Sequence, residues 1–592
     1  MDFGKMMMAV SAVALTTGPL PSSGSADART AYRPPAETLC QINNIQRPVR
    51  GNISYSRQGA GGTSKGVRGP ASLPSPPPPP SPPPMAPPPP PPSATSSAPA
   101  QQAVSAPRPQ SGASMPRPPM PGRYFPVLPR SAEKYDGEDV ANINAVANTP
   151  VSTFSVDVDT GAYANARRFL NQGKMPPADS VRTEEMINYF RYDYPLPKSK
   201  SQPFSITTDM AKTPWNKNSR LLRVGLRGYD LDYSERPAAN LVFLVDISGS
   251  MRSANKLPLV KSSLNMLADQ IRPQDRVSIV VYSGATAKLL SPCNKPQIIK
   301  QAVGSLTAGG STAGGQGMKM AYATARANFK PGSVNRIMLA TDGDFNVGIT
   351  DKDELKAYVK KQRESGITLT ALGYGTGNYN EALMEQIANV GNGNYAYIDS
   401  AMEAQKVLKE EMSSTLFTIA KDVKIQIEFN PAYVSEYRLI GYENRLLAEE
   451  DFANDAVDAG DIGASHQVTA LYEIVPAGAK GWLPDRRYGP KQSAAVGKKN
   501  GELGYIKLRY KLPDGDVSKL IERPLDAGMI GNAATAKGDM AFAVAVAGFG
   551  QKLRGDTYLG GFGFTDIRAL AGTQDDYWRQ EFVKLTQLAE SQ

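Results

Sequence analysis

Asp246, Ser248 and Ser250 stand two positions apart in Asp246-Ile247-Ser248-Gly249-Ser250-Met251, just past the apolar run at 241–245. A carboxylate and two hydroxyls on one tight turn are hard oxygen donors, the set that suits a divalent cation such as Mg²⁺. Two further stretches can complete it. Gly309-Gly310-Ser311-Thr312 precedes a helical pattern and offers another hydroxyl in Thr312. Thr341-Asp342-Gly343-Asp344 follows the apolar run at 336–340 and offers a second carboxylate in Asp342. In an open parallel sheet, ligands bind beyond the carboxyl ends of the strands, and the two carboxylates fall at such ends.

The elements around these residues alternate. Strand patterns at 241–245, 276–282, 287–290, 336–340, 367–372 and 395–398 are interleaved with helical patterns at 256–271, 295–306, 315–329, 351–365, 379–388 and 402–416. Alternation of this kind predicts an α/β domain over 240–416, a doubly wound parallel sheet with helices on both faces. Ahead of it, a strand at 153–158, helices at 160–170 and 183–190 and extended segments at 204–207 and 221–226 predict a small α+β module over 149–235. After 420 the pattern turns to period-two strands at 423–429, 437–440, 467–474, 504–510 and 519–525, closed by helices at 533–553 and 565–589. That predicts a β-rich C-terminal domain over 420–592, a sandwich or a sheet packed on its neighbour.

Charge and composition exclude several functions. Of the net charge of +10, +9 sits in the first 135 residues, which hold 13 Lys+Arg against 4 Asp+Glu; the remaining 457 hold 53 against 52. A near-neutral folded part argues against a nucleic-acid-binding face. One His, His466, in 592 residues argues against His-dependent hydrolases and zinc enzymes. The two cysteines, Cys40 and Cys293, exclude a disulfide scaffold and a Cys-based zinc cluster. They fall in unlike regions, and both are expected to be free thiols. No stretch approaches the roughly 20 apolar residues of a membrane span. The apolar run at 6–15 behind Lys5, followed by small residues at 24–26, reads as a secretory signal peptide ending near Ala26. Residues 27–135 read as a disordered Pro-rich spacer, with 23 prolines between 70 and 121.

The ordered series D-x-S-x-S, Thr312 loop and strand-end T-D-G on an α/β pattern resembles the von Willebrand factor type A domain, a Rossmann-like fold, with its metal-ion-dependent adhesion site. The flanking phrases TFSVDVDTGAYANARRFL (153–170), RTEEMINYFRYDYP (182–195) and VKIQIEFNPAYVSEYRLIGYENR (423–445) are similar to the bacterial YfbK-like subfamily of such proteins. The resemblance implies that Ser248, Ser250 and Thr312 contact Mg²⁺ (or Mn²⁺) through their hydroxyls. It implies that Asp246 and Asp342 hold the ion, often through water, and that a partner's Asp or Glu completes the shell.

The expected function is therefore Mg²⁺-dependent adhesion or scaffolding in the cell envelope, by a protein that is not an enzyme. The alternative is a regulatory or chaperone-like subunit that presents its A domain to an ATPase in the cytoplasm, which requires the apolar N-terminal run not to act as a signal. A Mg²⁺-dependent hydrolase lacks an evident general base beside the metal. The loop Gly373-Tyr374-Gly375-Thr376-Gly377 reads as plain loop geometry rather than a dinucleotide site, because no ribose-binding acid follows in the right unit. Asp157 and Asp159 share a strand face and are expected to be solvated or capping acids. His466 is expected to be a surface or strand residue, and Trp215, Trp482 and Trp578 core.

Overall fold

The central strand of the molecule, Ala239–Asp246, is buried along its whole length. Its odd residues Leu241, Phe243 and Val245 face the core under helices Leu257–Ala268 and Pro296–Ser305, where Leu264 and Ile299 lie. Its even residues Val242 and Leu244 face a second core with Met318, Leu355 and Leu383, under helices Gly314–Ala327, Lys352–Arg363 and Glu381–Val390. A strand covered on both faces needs no polar side, which is why it reads as a continuous apolar run. The computed structural model describes residues 39–43, 132–232, 234–310, 314–343, 351–484, 487 and 500–592. The expected signal peptide and most of the Pro-rich spacer lie outside them.

The sheet runs in the order Tyr395–Ile398, Thr368–Tyr374, Val334–Thr341, Ala239–Asp246, Arg276–Tyr282, Thr286–Cys293. All neighbours are parallel except the last pair, which is a hairpin. This is the doubly wound α/β fold expected for the middle of the chain.

The flanks depart from the expected order of separate domains. Strand Val151–Ser155 pairs with Thr418–Phe429 and with Leu446–Leu447, and Arg220–Gly228 pairs with Gln467–Pro476. The 149–235 module and the 420–592 domain thus share both of their sheets. Thr418–Phe429 also pairs with Glu502–Lys511, which carries Ser518–Asp526 at its edge. Aromatic rings interlock between the two sheets: Phe429 lies 5.4 Å from Tyr472, Phe154 6.3 Å from Tyr472 and Phe204 5.4 Å from Tyr510. The α/β domain is therefore inserted into a sandwich built from both flanks. The physical reason is ladder completion, since the buried amides of Val151–Ser155 find their acceptors only some 270 residues downstream.

Helix Gly538–Arg554, the apolar stretch of the C-terminal part, is buried against helix Thr183–Asn188 and sheet residues Leu221, Ile440 and Leu471. The single helix expected at 565–589 is two helices, Phe564–Ala571 and Tyr577–Glu590, broken after Gly572.

Two parts of the expected disordered stretch are ordered, a second correction. Residues 39–43 lie along the edge strand Thr286–Cys293 through an antiparallel bridge of Ile42 with Leu290 and the bonds Cys40 N–H to Pro292 O (3.0 Å) and Ser291 N–H to Gln41 O (2.9 Å). Residues 132–135 lie along the loop after Thr368–Tyr374, with Ala132 N–H on Gly377 O (2.8 Å) and Lys134 N–H on Tyr379 O (2.9 Å). The first contact overturns the free thiols: Cys40 and Cys293 form a disulfide. The pairing covers a sheet edge that would otherwise expose bare backbone groups.

Peptide mapping under non-reducing conditions is expected to recover the Cys40–Cys293 cross-link. Cys40→Ser is expected to lose about 2–4 kcal/mol in denaturant unfolding. Two free thiols in the native protein would contradict the edge pairing. A fragment spanning 132–238 is expected to show no cooperative melt, because half of its ladder partners are downstream; a sharp transition would contradict the shared sandwich.

Candidate functional site

Strand Ala239–Asp246 delivers Asp246 to its carboxyl end with no solvent exposure. Its Oδ1 accepts from Ser248 N–H at 2.8 Å, which turns the chain back over the carboxylate. Its Oδ2 accepts from the Thr341 hydroxyl on the neighbouring strand at 3.1 Å. Ser248 and Ser250 follow on that turn with their hydroxyls 3.0 Å apart. The loop is tied to both neighbours: Ile247 N–H donates to Tyr282 O (3.0 Å), Gly309 N–H to Ile247 O (2.8 Å) and Gly249 N–H to Gly310 O (3.0 Å). Burial pushes the Asp246 carboxyl up to about 6 against the opposing bonds from Ser248, and the charge of Asp342 adds to the rise.

Asp342 comes from the end of Val334–Thr341 and is likewise fully buried. The next residue, Gly343, has φ +86°, and a Cβ there would come 2.4 Å from the backbone nitrogen of Asn380. Only glycine fits, and the close approach fixes the backbone that carries Asp342. Lys256 Nζ donates to Asp342 Oδ2 at 2.8 Å and to Asn378 Oδ1 at 2.8 Å.

The structure therefore brings Asp246, Ser248, Ser250 and Asp342 to the carboxyl ends of two adjacent parallel strands. Thr312, with Ser311 and Asp344, lies outside the described residues. Two buried carboxylates and two hydroxyls, all oxygen donors, fit a small divalent cation. Asp246, Ser248, Ser250 and Asp342 are the residues that would hold it.

Sequence reasoning missed Lys256, Thr341 and Asn378. A signal for Lys256 was present: it stands at the N-cap of Leu257–Ala268, where the helix dipole disfavours a cation. A residue that breaks a local rule is often explained by a functional neighbour, here Asp342.

Other singled-out residues are structural. Asp157 and Asp159 are buried, not solvated, and both accept from the Arg445 guanidinium (3.2 and 3.3 Å). They follow strand Val151–Ser155 instead of lying in it, in a segment closed against the α/β domain, whose Tyr395 N–H donates to Asp159 at 2.8 Å. Glu185, Glu381 and Glu385 converge with the spacing of a metal-ligand set, but Arg182 is ion-paired with all three. Trp215 packs on Phe562 at 5.4 Å and Trp578 on Tyr189 at 5.8 Å. His466 immediately precedes strand Gln467–Pro476 and takes Gly463 N–H on its Nδ1 (3.1 Å). It lines a small cavity with Arg191 and Glu411, where burial pushes its pKa down to about 3.

A match to the von Willebrand factor type A domain covers residues 240–411, one to the C-terminal part of the uncharacterized protein YfbK covers 414–592, and one to von Willebrand factor covers 129–223. The chain is 49% identical over 470 residues to the uncharacterized protein YfbK of Escherichia coli, across 77% of this chain and 81% of that protein. It is 28% identical over 197 residues to human inter-alpha-trypsin inhibitor heavy chain H4, across 30% of this chain and 21% of that protein. Among solved structures, a von Willebrand factor type A protein from Catenulispora acidiphila aligns over 67% of this chain and 91% of that chain, with a TM-score of 0.37 and 14% identity. The fold and the domain match define a von Willebrand factor type A protein, with a protein–protein interaction module of a type that often binds a divalent metal. The chain belongs to the YfbK-like family of these proteins.

Two predictions follow from the geometry. Gly343→Ala is expected to lose about 1–3 kcal/mol of stability by backbone strain, read by thermal unfolding. A variant as stable as the wild type would mean that the close approach to Asn380 is not needed. The imidazole protons of His466, the chain's one His, are expected to hold their neutral shifts in NMR spectra from pH 8 down to pH 5. Its pKa is depressed below the unfolded value of ~6.5, so the neutral form stabilises the fold above that pH and the contribution is lost as the pH falls toward 3. Titration near 6.5 would contradict that depression.

Proposed function

We propose that the protein binds a partner through a divalent cation, Mg²⁺ or Mn²⁺, held by Asp246, Ser248, Ser250 and Asp342 with Thr312, and that an Asp or Glu side chain of the partner completes the ion's shell. The observation that carries this reading is the pair of fully buried carboxylates at adjacent strand ends, Asp246 and Asp342, with the Ser248 and Ser250 hydroxyls on the same turn. Bound there, the ion supplies a positive charge for an outside carboxylate. The chain's own residues bind and orient it: Ser248 N–H and Thr341 fix the Asp246 carboxylate, and Gly343 fixes the backbone of Asp342.

The reading is of a binding protein rather than an enzyme. His466, the one imidazole, lines a cavity with Thr370 and Tyr395 and not the strand ends that carry Asp246 and Asp342. We place the protein in the cell envelope. The Cys40–Cys293 disulfide supports that placement, because structural disulfides persist in oxidising compartments. The same observation weighs against a cytoplasmic subunit serving an ATPase. Among the described residues no helix is long and apolar enough to cross a membrane.

The test is capture of protein from envelope extract on the immobilised full chain, in Mg²⁺ and in chelator, with wild type and Asp246→Ala. A partner is expected to be retained by the wild type in Mg²⁺ and lost in chelator or with the variant. Equal retention in all arms would place the binding on another face.

A further inference from the structure

Lys256 is 6% exposed and stands at the positive end of helix Leu257–Ala268. Burial and the helix dipole both disfavour an ammonium there. It is held nonetheless, by Asp342 Oδ2 and Asn378 Oδ1, each at 2.8 Å. Its stem lies in a slot over Gly375, where a Cβ would come 2.3 Å from Lys256 Cγ and 2.4 Å from Cε. The slot wall is itself fixed, since Gly375 O accepts from the Tyr397 hydroxyl at 2.6 Å. With two acceptors and a fitted slot, the ammonium is a built part of the site rather than a surface charge resting on it.

Resting on the metal-dependent reading above, we propose that Lys256 makes the site selective for acidic partners by withholding negative charge from the metal. Asp246 and Asp342 bring two negative charges to the strand ends, and Lys256 returns one positive charge to Asp342. A divalent cation bound to that set keeps one uncompensated positive charge, which one outside carboxylate neutralises. Without the ammonium, the two aspartates would neutralise the ion by themselves and an outside carboxylate would gain little. Charge interactions in a site this buried are screened weakly, so the effect of one ammonium is large. Lys256 is thus a positioning and specificity residue: it acts on the metal through Asp342 and need not touch the partner.

The experiment is calorimetric titration of the full chain with MgCl₂ at fixed ionic strength, in chloride and again with saturating acetate as the probe carboxylate. Wild type, Lys256→Met and Asn378→Asp are compared. The last leaves Lys256 in place but offers its ammonium a second carboxylate to draw it from Asp342. In wild type, acetate is expected to tighten Mg²⁺ binding by about tenfold or more. In chloride alone, Lys256→Met is expected to bind Mg²⁺ about tenfold tighter than wild type, with less than twofold further gain from acetate. Asn378→Asp is expected to shift the same way by a smaller factor, which keeps the test open should Lys256→Met unfold. Folded variants with wild-type affinity in chloride, or a Lys256→Met that keeps the full acetate effect, would overturn the role of Lys256 while leaving the metal site intact. Wild type and variants that all fail to bind Mg²⁺ in either medium would overturn the metal-dependent reading and this inference with it.

Discussion

The Asp246 carboxylate is the point on which the site depends. It ends a strand buried along its whole length, and one oxygen takes the amide of its own turn while the other takes a hydroxyl from the adjacent strand. Those two bonds set where Ser248 and Ser250 emerge and hold the Thr341–Asp342 strand end in register with them. A buried carboxylate with raised proton affinity, beside a second buried carboxylate, is costly without a compensating charge. The remaining features of the strand ends answer that cost: tied loops, a glycine that admits close backbone approach, and the ammonium of Lys256.

The α/β domain is held against the sandwich by buried ion pairs as well as apolar packing. Arg445 and Arg182, from sandwich segments, reach Glu385 on helix Glu381–Val390, and Arg182 also pairs with Glu381 on that helix. Arg167 joins Asp399 and Glu403 of the α/β domain to Glu581 of the last helix. Removing one member of such a set leaves an uncompensated charge, at a cost of about 3–5 kcal/mol. Polar seams of this kind demand one relative placement of the two halves, which fixes the strand-end loops in relation to the sandwich. The loop that carries Asn378 and Asn380 is also lined by residues 132–135.

What was legible in the sequence was local. The apolar strand, the D-x-S-x-S turn and the strand-end T-D-G each lie within a few residues, so type and spacing report them directly. What was not legible depended on long-range pairing. The Cys40–Cys293 bridge joins residues 253 apart, and strand Val151–Ser155 pairs with residues 424–428 and 446–447. Period-two spacing put Asp157 and Asp159 on one face but could not say that Arg445 and the α/β domain would cover that face. Lys256 gave no sign of a site role by spacing, because its partner, Asp342, is 86 residues away.

The central claim is that these strand ends hold a divalent cation, and diffraction at the manganese absorption edge from crystals grown with Mn²⁺ tests it most directly. The account predicts an anomalous peak among the side-chain oxygens of Asp246, Ser248, Ser250 and Asp342, absent from crystals of the Asp246→Ala variant. No peak at the strand ends in well-ordered crystals, or one that persists in the variant, would contradict it.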